Sequence, residues 1–274
     1  MHKWIIIGSS VTGKKNIQND IPCQDSSRYA AISDKWNIIV VADGAGSLAN
    51  SHLGSDFITA GIIRLFQKQS NVLDKINPEN WEKTIISILK EVNQNLLDYS
   101  KSIEIPYKSL GATCIISLFS DNELYVAHIG DGRAGYKAKD KEWEPSITPF
   151  QGEYAGETIF ITSDIWDDPS KYIKTDSFIL ELDSVALLTD GSESFSWETQ
   201  KFDQKINKVV EINKPFSPFF NENINAFKSL LNNGNPIKSI NQKWEKYLKI
   251  GNDFIEKEID DKTLVIAFRI DTNE

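Results

Sequence analysis

The sequence predicts an α+β fold in which antiparallel sheets are layered against helices, and three observations carry that prediction. Strand-like and helix-like stretches are segregated along the chain as strands, two helices, strands, helices and a last strand, unlike the alternation of a parallel α/β sheet. The two early helical stretches each carry one apolar stripe, as helices laid on a sheet do. Three apolar runs end in an aspartate next to glycine: Ile38–Ala42 into Asp43-Gly44, Leu124–Ile129 into Gly130-Asp131-Gly132, and Val185–Leu188 into Thr189-Asp190-Gly191. A strand that ends this way delivers a carboxylate to a sheet edge, and the glycine frees the backbone to bring a carbonyl beside it.

Element by element, Trp4–Ile7 opens as a strand and residues 8–22 follow as a polar loop with Lys14 and Lys15 near its middle. Tyr29–Ser33 and Trp36–Ala42 form a hairpin turning at Asp34-Lys35. From Gly54 to Gln69, Phe57, Ile58, Ile62, Leu65 and Phe66 recur at helical spacing. A second helix starts at Pro78 and runs to about Tyr99 with Trp81, Ile85, Ile88, Leu89, Val92 and Leu96 on one stripe. Ala112–Phe119, Leu124–Gly130 and Arg133–Ala138 read as an antiparallel meander. After a loop over 145–156, Thr158–Ser163 reads as a strand, and Phe178–Leu182 pairs with Val185–Thr189. Helices are expected at Phe202–Ile212, Glu222–Leu231 and Ile237–Leu248, and Asp260-Asp261-Lys262-Thr263 leads into a final strand ending at Ile270. No repeat, low-complexity tract or linker interrupts residues 1–274, so one domain is expected.

Composition narrows the function. With 274 residues, 40% of them hydrophobic, the chain can bury a substantial core, and a formal charge of −9 argues against a nucleic-acid surface, which needs a basic face. No apolar run is long enough to span a bilayer, and the apolar N-terminal segment is too short for a signal peptide, so a cytoplasmic protein without membrane attachment is expected. Cys23 and Cys114 are isolated thiols expected to stay free in a reducing compartment. Three scattered histidines, His2, His52 and His128, argue against zinc held by imidazole; His128, inside an apolar strand, reads as core.

Asp25, Asp43, Asp131, Asp190 and Asp260 all fall at strand ends or adjoining turns. Oxygen donors of this kind suit Mg²⁺ or Mn²⁺, and two such ions roughly 4 Å apart can activate water and stabilise the entering and leaving oxygens of phosphoryl transfer. Taken singly, each Asp-Gly is equally a tight turn, and Asp121 and Asp183 read as turns only.

In order, Gln24-Asp25, Val41-Ala-Asp-Gly-Ala-Gly46, Gly111-Ala-Thr113, Ile129-Gly-Asp-Gly-Arg133, Leu188-Thr-Asp-Gly191 and Asp260-Asp-Lys-Thr263 resemble the motif series of the metal-dependent type 2C serine/threonine protein phosphatases, over nearly the whole chain. Residues 152–158 are similar to a segment of a bacterial branch of that family. The resemblance implies a four-layer αββα sandwich of two antiparallel sheets flanked by helices. It implies two Mg²⁺ or Mn²⁺ ions, with a possible third. Asp43 would bridge the pair, the Gly44 carbonyl would bind one ion, and Asp190 and Asp260 would hold the other. Asp25 would act through metal-bound water, and Asp131 would serve the third ion. The implied reaction is attack of metal-activated water on phosphoserine or phosphothreonine in a protein substrate, a cognate kinase or that kinase's target.

The sequence departs from the series at four places. Asp20 stands where many members have a phosphate-clamping arginine, leaving Lys14 or Lys15 as candidate phosphate ligands. Ala45 stands where eukaryotic members often have histidine, Gln24 where many have glutamate, and Ser194 where many have an acid, with Glu193 one residue off. The clustered acids favour an enzyme, whereas the missing arginine and histidine favour a pseudophosphatase or regulatory binding module. A phosphoesterase for small molecules shares the same centre.

Overall fold

The computed structural model describes residues 2–69, 73, 75–150 and 158–271 of the chain. One sheet has the order β1-β12-β9-β6-β7, built from His2–Val11 (β1), Lys262–Asp271 (β12), Leu182–Leu188 (β9), Arg133–Ala138 (β6) and Trp143–Pro145 (β7). The other has the order β2-β3-β4-β5-β8, from Ser26–Ala31 (β2), Asn37–Ala42 (β3), Cys114–Phe119 (β4), Glu123–Ile129 (β5) and Lys174–Ile179 (β8). Every pairing in both sheets is antiparallel.

Three buried clusters define four layers. The first joins Ile38, Val40, Ile116 and Tyr125 of the second sheet to Ile58 and Ile62 of α2 (Ser51–Lys68) and Ile85, Leu89 and Val92 of α3 (Trp81–Ser102). The middle cluster lies between the sheets, with Ile39, Val41, Ile115 and Val126 on one side and Ala134, Val185, Leu187 and Val265 on the other. The third packs Ile5, Ile7, Leu264 and Ile266 against Phe220 and Phe227 of α6 (Ser217–Asn232) and Ile240 and Trp244 of α7 (Ile237–Ile250). The period-2 alternation of the strands therefore feeds two different cores, one face to each. Each helical layer also drops one indole onto a strand carbonyl: Trp81 Nε1 donates to Val126 O at 2.7 Å and Trp244 Nε1 to Leu264 O at 3.0 Å.

The predicted α+β class and the αββα layering agree with this architecture, and the first hairpin, the two apolar-striped helices and the last two helices lie where the periodicity puts them. Five local expectations are corrected. Residues 8–22 are not a loop throughout, because β1 continues to Val11 and Lys14–Gln18 form a short helix, α1. The meander breaks after β5: Gly130, at φ +107°, turns the chain out of one sheet and into the other, where β6 pairs with β9. For the same reason the segments around Phe178 and Val185 do not pair, since β8 joins β5 and β9 joins β12 and β6. Residues 158–163 are not a strand, because the Ser163 hydroxyl accepts from the Phe160 amide and folds the segment into turns.

The fifth correction is the largest. Residues 202–212 are part of a two-stranded hairpin of Trp197–Asp203 (β10) and Lys208–Pro215 (β11), not a helix. The Asp203 carboxylate accepts from the Lys205 amide, Asn207 takes a left-handed conformation at φ +51°, and β-branched Val209, Val210 and Ile212 favour extended backbone.

His128 is buried, as its apolar strand predicts, and among the described residues its Nε2 has no hydrogen-bond partner. Loss of hydration, then the nearby Arg133 charge, lowers its pKa to about 3. Above pH ~6.5 the imidazole is neutral in both folded and unfolded chains. Below that, the unfolded chain takes up a proton that the folded one refuses, so stability falls as pH drops toward 3. Urea midpoints at pH 7 and pH 5 are expected to show His128→Leu losing about 2 kcal/mol less than the parent over this interval; equal losses would mean that His128 stays neutral in neither state.

Candidate metal centre

The ends of β3 and β9 and the start of β12 meet at one rim, together with the residues just before β2 and the turn between β5 and β6. Asp43, beyond β3, is fixed by reciprocal bonds: its amide donates to Thr113 Oγ1 at 2.9 Å, and the Thr113 amide donates to its carbonyl at 2.8 Å. Gly44 follows, its amide on Gln24 O at 3.1 Å; a Cβ there would stand 2.6 Å from the same oxygen, so only glycine allows this approach. Asp25 is buried and accepts from Thr189 Oγ1 at 2.7 Å, and Thr189 Oγ1 accepts in turn from the Thr263 amide at 3.1 Å. One hydroxyl thus ties the β9 end and the β12 start to Asp25. At Gly191 an added Cβ would lie 2.0 Å from Asp261 O, so the turn carrying Asp190 is pressed against the Asp260-Asp261 segment.

The electrostatics show how crowded this rim is. Burial, then the Asp25 and Asp190 charges, raises the Asp43 pKa well above the carboxylate range. Asp25 is pushed up to about 8, by burial first and by Asp261 and Asp190 among the charges. Asp190 rises to about 6 through desolvation by neighbouring protein and the charges of Asp260 and Asp131; since its surface stays exposed, crowding by like charge is the firmer cause. The Asp190 charge is among the causes that raise Asp43, so the two carboxylates oppose each other at the rim. Asp131 is raised by burial and held down in part by Arg133. Among the described residues, no lysine or arginine forms a salt bridge with Asp25, Asp43, Asp190 or Asp260.

Oxygen-only donors whose repulsion is relieved by protons suit a hard divalent cation, which replaces the protons as counter-charge. Among the described residues, no three His, Cys, Asp or Glu side chains already stand in a ready-made ligand group, so closing on an ion requires side-chain adjustment.

The other sequence-predicted residues fall as follows. α1 packs on the approach to Asp260, with the Lys15 amide on Ile259 O at 3.0 Å and Lys14 Nζ 3.9 Å from Glu256. Glu193 receives Arg133 at 2.7 and 3.2 Å, and Ser194 donates to Glu258 at 3.1 Å. Asp121 accepts from Trp4 Nε1, and Asp183 lies 4.0 Å from Lys137, so both acids serve structure. Cys23 is half-buried and Cys114 buried, both as free thiols. Residues 152–157 lie outside the described residues. Among the described residues, no helix is long and apolar enough to cross a membrane.

Sequence reasoning passed over a hub beneath the rim. Asp261, fully enclosed, accepts from the Gly13 amide at 2.7 Å, the Gln24 amide at 2.5 Å and Asn16 Nδ2 at 3.0 Å. Gln24 extends it, its Oε1 accepting from Asn16 at 3.2 Å and its Nε2 donating to Ser51 Oγ at 2.7 Å. The paired acids at 260–261 were the available signal; nothing in the sequence marks Asn16.

A sequence model of the protein phosphatase 2C family matches residues 12–230. Serine/threonine-protein phosphatase 3 of Escherichia coli (strain K12) is 25% identical over 222 residues, which cover 79% of this chain and 80% of that protein. The catalytic domain of the serine threonine protein phosphatase PstP, solved in complex with two manganese ions, superimposes with a TM-score of 0.60 at 16% identity, covering 99% of this chain and 100% of that one. The serine/threonine phosphatase Stp1 from Staphylococcus aureus gives 0.59 at 17% identity, covering 99% and 96%.

Replacing Asp261 by alanine strands three buried donors, so a loss of about 2–4 kcal/mol in urea unfolding is expected. A loss below 0.5 kcal/mol, measured with linear extrapolation, would remove the hub from the account of the rim.

Proposed function

Because the chain belongs to the protein phosphatase 2C family and is a metal-dependent serine/threonine phosphatase, we propose that its activity resides in the carboxylate rim formed by Asp25, Asp43, Asp131, Asp190 and Asp260. Asp43 and the Gly44 carbonyl, with Asp190 and Asp260, are the residues to hold two Mg²⁺ or Mn²⁺ ions, and Asp131 the residue for a third. Bound there, the ions supply a nucleophilic water at neutral pH and neutralise charge on the phosphoryl oxygens. Asp25, anchored by Thr189 Oγ1, is the residue that would act through such a metal-bound water. Lys14 and Lys15, on the helix packed beside Asp260, attract the phosphate dianion as point charges without the bidentate fork of arginine. Glu193 is committed to Arg133, so the third position lacks the partner acid that Asp131 would otherwise have.

The observation that carries this reading is the gathering of Asp25, Asp43 and Asp190, up to 165 positions apart in the chain, at one rim where their charges oppose one another and where, among the described residues, none of them has a salt-bridge partner. A binding module has no use for so unfavourable a cluster. The substrates are phosphoproteins, and a cognate kinase or that kinase's target is the substrate we infer. The first and last strands pair along their whole length, which supports residues 1–274 as one domain, and the two free thiols support a reducing, cytoplasmic setting.

Hydrolysis of p-nitrophenyl phosphate in Mn²⁺ is expected to fall at least about 100-fold in Asp43→Ala, and to stop in EDTA and return with added Mn²⁺. Turnover that survives EDTA would overturn the metal-dependent mechanism at this rim. A phosphothreonine peptide should be cleaved with higher kcat/KM than small phosphoesters.

A further inference from the structure

The β10–β11 hairpin lies between the turn carrying Asp190 and the start of β12, and its two halves differ. The base is built into the protein: Trp197 and Pro215 are buried, and Asn213 accepts from Trp197 Nε1 at 2.8 Å and from Arg133 Nη1 at 3.3 Å while donating to Ile147 O at 2.8 Å. Arg133 follows Asp131 by two residues and grips Glu193, which follows Asp190 by three. The hairpin is therefore hydrogen-bonded to Arg133 at the start of β6, and through Arg133 it is linked to Glu193 beyond the Asp190 turn.

The distal half has the opposite character. Phe202 and Val209 oppose each other across the strands and are 53% and 61% exposed, and Ile206 in the turn is 55% exposed. Between positions 201 and 208 stand three exposed lysines, Lys201, Lys205 and Lys208, with a single aspartate, in a chain whose formal charge is −9. Beside them, the base and lower strands border a hollow of about 750 Å³ lined by Trp197, Gln200, Lys201, Asn213 and Lys214 among others. An apolar pair ringed by cations at the end of a hairpin rooted in the catalytic rim is a feature without a folding purpose, since truncating it would remove no core contact.

We propose that this hairpin is the substrate-docking arm of the phosphatase. Its occupant is an acidic, partly apolar stretch of the phosphoprotein away from the phosphorylated residue. Lysine charge complements the acids of that stretch, Phe202 and Val209 receive its apolar side chains, and the tether through Asn213 and Arg133 keeps the arm in fixed relation to the rim. The inference rests on the phosphoprotein-phosphatase reading above and adds to it where protein substrates are told from small phosphoesters.

Two variants test it, Lys201→Glu/Lys205→Glu/Lys208→Glu and Phe202→Ser/Val209→Thr, both confined to exposed side chains. Phosphorylated casein serves as the acidic protein probe. Its binding is read by surface plasmon resonance, its dephosphorylation by steady-state kinetics, and p-nitrophenyl phosphate reports the rim alone. The charge variant is expected to weaken casein binding and raise KM about tenfold at low salt, an effect that shrinks as salt rises. The apolar variant is expected to weaken binding several-fold, and in both kcat and p-nitrophenyl phosphate turnover stay at the parent level. Casein binding unchanged in both variants would overturn the proposal. So would a parallel fall in p-nitrophenyl phosphate turnover, which would make the hairpin a structural prop. If the parent cleaves neither substrate, the catalytic reading fails, and the binding comparison alone still decides the docking arm.

Discussion

The structure depends on holding like charges together. Asp25, Asp43, Asp131 and Asp190 all have raised pKa values, and among the causes of each rise except that of Asp131 are the charges of other members of the set. An unfolded chain would keep these groups apart, so folding works against their repulsion. Two sheets packed face to face through the cluster of Ile39, Val41, Leu187 and Val265 supply the rigid frame. Main-chain contacts at Gly44 and Gly191, too close for any Cβ, then fix the turns at the rim. A cation entering the rim converts this opposition into attraction, which links metal binding to the stability of the turns themselves.

Much of this was legible because the local code is simple. Asp43, Asp131, Asp190 and Asp260 each adjoin an apolar strand and the two early helices carry clear stripes, so most element types could be read directly, whereas the resemblance to a motif series singled out the acids. Partnership of strands could not. β5 and β6 are separated by three residues and look like any hairpin, yet the left-handed Gly130 sends β6 to the other sheet; period-2 alternation reports that a face is buried without saying against which sheet. The β10–β11 hairpin was missed for a different reason. Its apolar residues Phe202, Ile206, Val209 and Val210 recur at spacings of three and four, as a helix would require, and only the Asp203 turn and left-handed Asn207 select the strand pair.

Polar positions beneath the surface were the least legible. Asn16 has no pattern around it, and its role appears only when α1 folds back so that its amide reaches both Gln24 and Asp261. The contact with Asp261 joins residues 245 positions apart, and a single sequence contains no trace of such a pairing.

Asp260 and Asp261 show why residue type alone could not assign roles even where the motif was plain. The two acids are adjacent and chemically identical. Asp261 turns inward to three N–H donors, the Gly13 and Gln24 amides and Asn16 Nδ2, and so pins α1 and the segment before Asp25 to the start of β12. Asp260 is exposed, and its negative charge reaches Asp190 across the rim. The chain bends at Asp260 just before β12, where its carboxylate accepts from the Asp261 amide at 2.9 Å, so one aspartate becomes scaffold while the other stays at the surface. The inward acid helps hold the outward one in place, together with the Lys15 amide on Ile259 O and the close approach of Gly191 to Asp261 O.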